Sequence, residues 1–155
     1  MNGLAEIYDK IYRYCFYRVR NAHAAEDLTQ ETFLKFFGRQ QTIRRSPDMA
    51  YLYTIAKHLC ADYFRRKQTV ELTDDYPAGD FAEQSDTRVA VQKALEKLDE
   101  RQREIIVLRY ISEFTVNEAA AAAGMSRFAV YRLERAALKK LKELLAAWAA
   151  EEEEV

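Results

Sequence analysis

Glycine and proline are scarce in this chain, with four and two among 155 residues. They are the residues that break helices and build tight turns. Their rarity, beside abundant Ala, Leu, Glu, Lys and Arg, leaves little for a strand-rich fold and predicts a nearly all-helical protein. No apolar run approaches the roughly 20 residues of a membrane span, and no signal peptide opens the sequence, so a cytoplasmic protein without membrane insertion is expected. Cysteine and histidine are also few: Cys15, Cys60, His23 and His58. The cysteines fall at buried-looking positions on separate predicted helices and read as reduced core thiols. Each histidine has an aspartate four residues on, Asp27 after His23 and Asp62 after His58, but neither pair is joined by a second histidine or a cysteine pair at metal spacing, so no metal site and no cofactor are expected. The sequence also lacks a metal-ligating acid cluster, a nucleophile with a base partner and a glycine-rich phosphate loop, which argues against a DNA-processing enzyme and leaves no catalytic residues to assign.

Net charge is small, at −1, but it is unevenly distributed. Residues 1–68 carry a balance of +5, 69–87 of −6, 88–150 of +4 and the last five of −4. Two basic helical blocks are therefore joined by an acidic strip and followed by an acidic tail. A like-charged segment containing Pro77 and Gly79 cannot bury enough apolar surface to fold alone. The expected architecture is all-α, with two small helical domains, 1–68 and 88–150, a flexible acidic linker at 69–87 and a tail at 151–155. Two separated basic surfaces suit a polyanion contacted at two places.

Helical periodicity predicts a first helix from Gly3 to about Arg20, a second from Ala24 to about Phe37 and a third from about Asp48 to Lys67. In the second, Leu28, Phe33, Phe36 and Phe37 can face a core, while Glu26, Asp27, Gln30 and Glu31 form an acidic, amide-bearing face. Those acids favour the helix dipole by about 0.3–1 kcal/mol each, so they need no functional reason, although they could equally dock a basic partner. The third helix buries Leu52, Ile55, Ala56, Leu59 and Tyr63 and ends in Arg65, Arg66 and Lys67. Its interleaved aromatic and basic residues, Tyr51, Tyr53, Lys57, His58 and Phe64, could stack unpaired bases and neutralise phosphates. A core helix with a solvated basic end is the plainer reading. Two further amphipathic helices, Val89–Leu98 and Arg101–Ile111, supply Leu95, Leu98, Ile105, Leu108 and Ile111 to a second core.

The stretch TVNEAAAAAGMSRFAVYRLERAALKKLKELL, residues 115–145, has the pattern of a helix-turn-helix. Thr115 and Glu118 stand at capping-box spacing, Gly124 suits a left-handed helix end and Ser126 can cap the next helix. Val130, Leu133, Ala137, Leu141 and Leu144 form its apolar stripe. Arg127, Phe128, Tyr131, Arg132 and Arg135 lie off that stripe, where a recognition helix meets base edges in the major groove. An ordinary helical hairpin with a solvated basic face is the alternative.

Four stretches in this order resemble the extracytoplasmic-function (ECF) sigma factors of bacterial RNA polymerase: AEDLTQETFLKFF their region 2.2, YLYTIAKHLCADYFRRK regions 2.3 and 2.4, LEKLDERQREIIVLRY region 4.1, and the helix-turn-helix region 4.2. The resemblance implies a non-catalytic subunit, monomeric when free, that binds core polymerase and directs promoter-specific initiation. Its implied partners are the β′ clamp helices, the β flap, promoter DNA and an anti-sigma factor. Asp27, Gln30, Glu31 and Phe33 would dock on the clamp helices. Arg44, Arg45, Ser46, Tyr51, Lys57, His58, Arg65 and Arg66 would hold the melted −10 strand, with one base flipped into a pocket. Ser126, Arg127, Phe128, Tyr131, Arg132 and Arg135 would read the −35 duplex. Tyr51 stands where the family often has Trp, and His58 where it usually has Asn, so an altered −10 preference is expected. The competing functional reading is a stand-alone helix-turn-helix regulator with an N-terminal dimerisation or sensing domain.

Overall fold

The computed structural model describes residues 3–39, 48–70 and 85–153. Among these residues every regular element is a helix. Helix α1, Leu4–Val19, ends at Arg20, whose left-handed backbone (φ 55°) lets its N–H donate to the Phe16 carbonyl. Asn21 then caps the next helix through its side-chain oxygen, which accepts from the Ala24 N–H at 2.9 Å. Helix α2 therefore starts two residues before the periodicity suggests, and spans Ala22–Arg39. Asp48 caps α3, Met49–Val70, in the same way at 2.9 Å from the Ala50 N–H. Ile7, Ile11 and Cys15 of α1, Leu28 and Phe36 of α2, and Leu52, Ala56, Leu59 and Cys60 of α3 fill the space between the three helices. Both cysteines are free and buried, as their positions suggest. Thr29 and Thr32, fully buried on α2, donate their hydroxyls to the carbonyls four residues back and so need no other partner.

Helix α3 runs to Val70 and α4 begins at Asp86, capped by Ser85, so helix enters the expected 69–87 linker from both ends. Helix α4 is Asp86–Glu96. Arg103 ties its C-terminus to the next helix by donating to the Leu95, Glu96 and Leu98 carbonyls at 2.9–3.0 Å. Helix α5, Glu100–Ile106, starts at the cap Asp99 and continues into a π-helical turn, Val107–Ile111, closed by a bond from the Ser112 N–H to the Val107 carbonyl. Periodicity alone suggests an unbroken α-helix there, because the i to i−5 shift leaves the apolar pattern nearly unchanged over one turn. Glu113 (φ 59°) then reverses the chain.

Helix α6, Val116–Ala123, carries the complete capping box: Thr115 accepts from the Glu118 N–H, and the Glu118 carboxylate accepts from the Thr115 N–H. It ends in Gly124 at φ 67°, with the Met125 N–H on the Ala120 carbonyl and the Gly124 N–H on that of Ala121, which satisfies carbonyls the helix would otherwise leave open. Helix α7, Arg127–Glu153, is 27 residues long and extends into the acidic tail, where Glu151, Glu152 and Glu153 are solvated. Leu95, Leu98, Ile106 and Ala137 make a small core of this half.

The two halves meet face to face. Ile105, Leu108, Phe114, Ala119, Ala120 and Val130 belong to the same apolar cluster as the α1–α3 core, with α6 packed on α3 and the π turn on α1.

Candidate nucleic-acid and polymerase interfaces

The tight turn at Gly124 and the Ser126 cap set the start of α7. The Ser126 hydroxyl accepts from the Ala129 N–H at 3.1 Å, which leaves its own hydrogen for a phosphate. Arg127, Phe128, Tyr131, Arg132 and Arg135 are all exposed, Phe128 at 81% and Tyr131 at 46%. Offsets of one, four, five and eight from Arg127 put them on one face, opposite the buried Val130 and Ala137. Three guanidinium groups and two aromatic rings thus line one exposed helix surface. Leu138, 40% exposed, and Lys139 extend that face by one turn. Glu134, buried on the other side of α7, accepts from Arg109 Nε at 3.1 Å, while Arg109 also donates to the Phe114 carbonyl at 2.8 Å. This pair anchors α7 to the π turn. A charged residue inside an apolar stripe gives no periodic signal, so the sequence did not reveal it.

Of the residues expected to hold the melted strand, Arg44, Arg45 and Ser46 lie outside the described residues. Tyr51, His58 and Arg65 recur at seven-residue spacing along one line of α3. Tyr51 is half-buried with its ring 5.6 Å from Phe36, His58 and Arg66 are exposed, and Arg65 is paired with Asp62. Lys57 is turned toward the C-terminal half, with its Nζ 3.3 Å from Glu104 Oε2. Two residues depart from expectation. Tyr53, which could have stacked a base, is 3% exposed, packs edge-on against Tyr14 and Phe114, and donates its hydroxyl to Glu104 at 3.0 Å. Burial, reinforced by the neighbouring Tyr14 and Glu104, pushes its hydroxyl pKa well up. Phe64 is half-buried under the Arg18 guanidinium, 5.7 Å from its ring. Both aromatics are taken up by packing.

On α2, Asp27 and Gln30 are exposed and Glu31 half-buried, as a docking face requires. Glu26 organises that face, accepting from the Tyr8 hydroxyl at 2.7 Å and from Gln30 Nε2 at 3.2 Å. Burial, together with this acceptor, raises the Tyr8 pKa to about 12. Phe33 does not belong to the face. It is 8% exposed and packs on Tyr8 and Phe37 at 5.4 and 6.3 Å, because position 33 falls on the inward side of α2 with Thr29 and Phe36. The apolar residue that does point outward is Leu34, 72% exposed. Its spacing of four from Gln30 and seven from Asp27 was there to be read. No group of His, Cys, Asp and Glu among the described residues could hold a metal ion, and no described helix is long and apolar enough to cross a membrane.

Comparison with known proteins accounts for both halves. Residues 4–70 match the sigma-70 region 2 family and 94–143 the sigma-70 region 4 family. The chain is 34% identical to the ECF RNA polymerase sigma factor BldN of Streptomyces coelicolor over 88% of its length, and spans 56% of that protein. It is 30% identical to the ECF RNA polymerase sigma factor SigX of Bacillus subtilis, with 85% of this chain and 76% of SigX aligned. Its fold is similar to that of CnrH, solved in complex with the cytosolic domain of CnrY, with TM-score 0.58 and 28% identity over 92% of this chain and 82% of CnrH. It is also similar to that of the sigma factor RpoE of Bartonella quintana, solved with the anti-sigma factor NepR, with TM-score 0.60 and 23% identity over 92% of this chain and 94% of that one.

Proposed function

The chain belongs to the ECF RNA polymerase sigma factors, and from that membership we propose how its surfaces divide the work of promoter-specific initiation. The α7 face of Arg127, Phe128, Tyr131, Arg132 and Arg135 reads the −35 element as duplex, with Ser126 on the backbone. An arginine held bidentate on a guanine edge discriminates by about 1–3 kcal/mol. The line of Tyr51, His58 and Arg65 on α3, with Lys57, Arg66 and the preceding Arg44, Arg45 and Ser46, holds the melted −10 strand. Asp27, Gln30, Glu31 and, in place of Phe33, Leu34 dock α2 on the β′ clamp helices, while the C-terminal half meets the β flap. The protein acts in the cytoplasm, as a monomer when free and without catalysis of its own. An anti-sigma protein is a further partner on this reading, in keeping with CnrH, which was solved with the cytosolic domain of CnrY.

The observation that carries this reading is the exposed basic and aromatic face of α7, set by a capping box and a glycine turn on a chain whose other half matches sigma region 2. Run-off transcription with core polymerase on promoters selected in vitro tests it. Core-dependent initiation from a defined start site is expected. Tight duplex binding by the isolated protein, dimerisation and no initiation would instead identify a stand-alone regulator, which binds two half-sites as a dimer.

A further inference from the structure

A groove between α1 and α4 belongs to neither the DNA-reading nor the polymerase-docking faces. Its volume of about 780 Å³ is in the range of clefts that hold small organic molecules. Much of its lining is apolar. Tyr12 and Phe16 of α1 stack at 6.1 Å, and Val91 and Leu95 of α4 complete the surface. Phe16 and Val91 remain 37% and 38% exposed, so both offer apolar area to whatever enters.

The charge along this groove has one sign. Arg13, Arg20 and Arg88 line it, and no carboxylate does. Arg13 is engaged by Glu113 at 2.7 Å, outside the lining. Arg20 lies over the Tyr17 ring at 6.0 Å, and the Arg88 guanidinium has no partner among the described residues. A ring does not neutralise a guanidinium, so two uncompensated cations stand beside exposed apolar surface. Arg20 also holds the left-handed backbone (φ 55°) that ends α1. Glycine takes that conformation at lower cost but supplies no charge.

Each feature narrows the ligand. A neutral hydrocarbon would leave the arginines unused, and a small inorganic anion would leave Phe16 and Val91 wet. A carboxylate on an apolar tail satisfies both: the tail displaces water from the rings, and the head accepts paired N–H bonds from a guanidinium. We propose that this groove binds an amphipathic carboxylate of the fatty-acid class, its tail along Tyr12, Phe16 and Val91 and its head on Arg20 and Arg88.

Isothermal titration calorimetry of the full chain with sodium octanoate, octan-1-ol and sodium acetate separates tail from head. Octanoate should bind once per chain with a Kd on the order of 100 µM. Octan-1-ol should bind at least about tenfold more weakly, and acetate not measurably. Combining Arg20→Gly with Arg88→Gln removes both uncompensated guanidiniums without adding backbone strain. That variant should lose about tenfold in octanoate affinity and none for octan-1-ol, whereas Phe16→Ala should weaken both ligands alike, each variant keeping the parent's helical circular dichroism. No saturable binding of octanoate to the parent would overturn the site. Equal affinity for octanoate and octan-1-ol, or octanoate binding that the double variant leaves unchanged, would overturn it as well.

Discussion

Phe33 and Leu34 are neighbours in sequence that the fold sends to opposite sides of α2, and their alanine variants should fail in opposite ways. Phe33 is 8% exposed against Tyr8 and Phe37, so Phe33→Ala removes a core ring and leaves a cavity that costs about 3–5 kcal/mol. Leu34 is 72% exposed and supports nothing, so Leu34→Ala should change stability by no more than about 0.5 kcal/mol. Docking reverses the order. Burying a whole leucine side chain yields about 1.5–3 kcal/mol, of which Leu34 still has most to give, or about 1–2 kcal/mol. Its loss should therefore weaken binding to core polymerase roughly 5- to 30-fold. Urea denaturation followed by circular dichroism reads the first quantity, and biolayer interferometry against immobilised core polymerase reads the second. A Phe33→Ala protein as stable as the parent but unable to bind polymerase, beside a Leu34→Ala protein that binds normally, would refute the assignment of faces.

Four further outcomes are expected. Arg132→Ala should weaken binding to a selected −35 duplex by about 5- to 150-fold while leaving affinity for core polymerase unchanged in the same interferometry assay. Glu134→Ala strands the Arg109 guanidinium half-buried beside the Phe114 carbonyl and should cost about 1–3 kcal/mol in urea melts, with Glu134→Gln recovering part of it. Gly124→Ala meets no atom within 4 Å, so only its left-handed backbone opposes the change; a loss of about 1 kcal/mol should appear in thermal denaturation, smaller for Gly124→Asn. Although burial alone would raise the Glu118 pKa, its bonds to the Thr115 N–H and to Lys10 hold it below the usual carboxylate value. A depressed folded pKa contributes stability that is present above the unfolded value of 4.5 and fades as pH falls through the folded one. The gap between the parent and Glu118→Gln should accordingly be widest at pH 6 and shrink toward pH 3.

Local chemistry was the legible part of this fold. The capping box at Thr115 and Glu118, the left-handed Gly124 and the stripe led by Val130 and Ala137 depend on residues close together in sequence, and all stand where the spacing put them. The caps at Asn21, Asp48 and Ser85 were equally local; Asp48 stands where the third helix was expected to start, but polar residues are common in the flanking loops, and the starts of α2 and α4 slipped by two and three residues. The inward turn of Phe33 was harder. A run of aromatic and leucine residues from 33 to 37 offers several apolar faces, and only the position of α1 decides which is buried. Tyr53 shows the same limit at longer range. Its hydroxyl partner Glu104 lies 51 residues away, and nothing in the α3 pattern marks it as an interface residue.

The charge segregation along the sequence bears on the contact between the halves in an unexpected way. Balances of +5 and +4 mean that the two basic blocks repel at long range, yet the faces that meet are locally complementary. Partly exposed ion pairs contribute only about 0.2–1 kcal/mol each, so the three pairs do not hold the halves together by themselves. Burial of Phe114 and Leu108 beside Tyr53 supplies most of the attraction, at about 25 cal/mol per Å² of apolar surface removed from water. The ion pairs instead fix which faces meet, because any slipped arrangement would leave Glu118 or Glu104 partly buried without a cation. The contact is thus an apolar one of modest extent, oriented by weak charges and opposed by net charge.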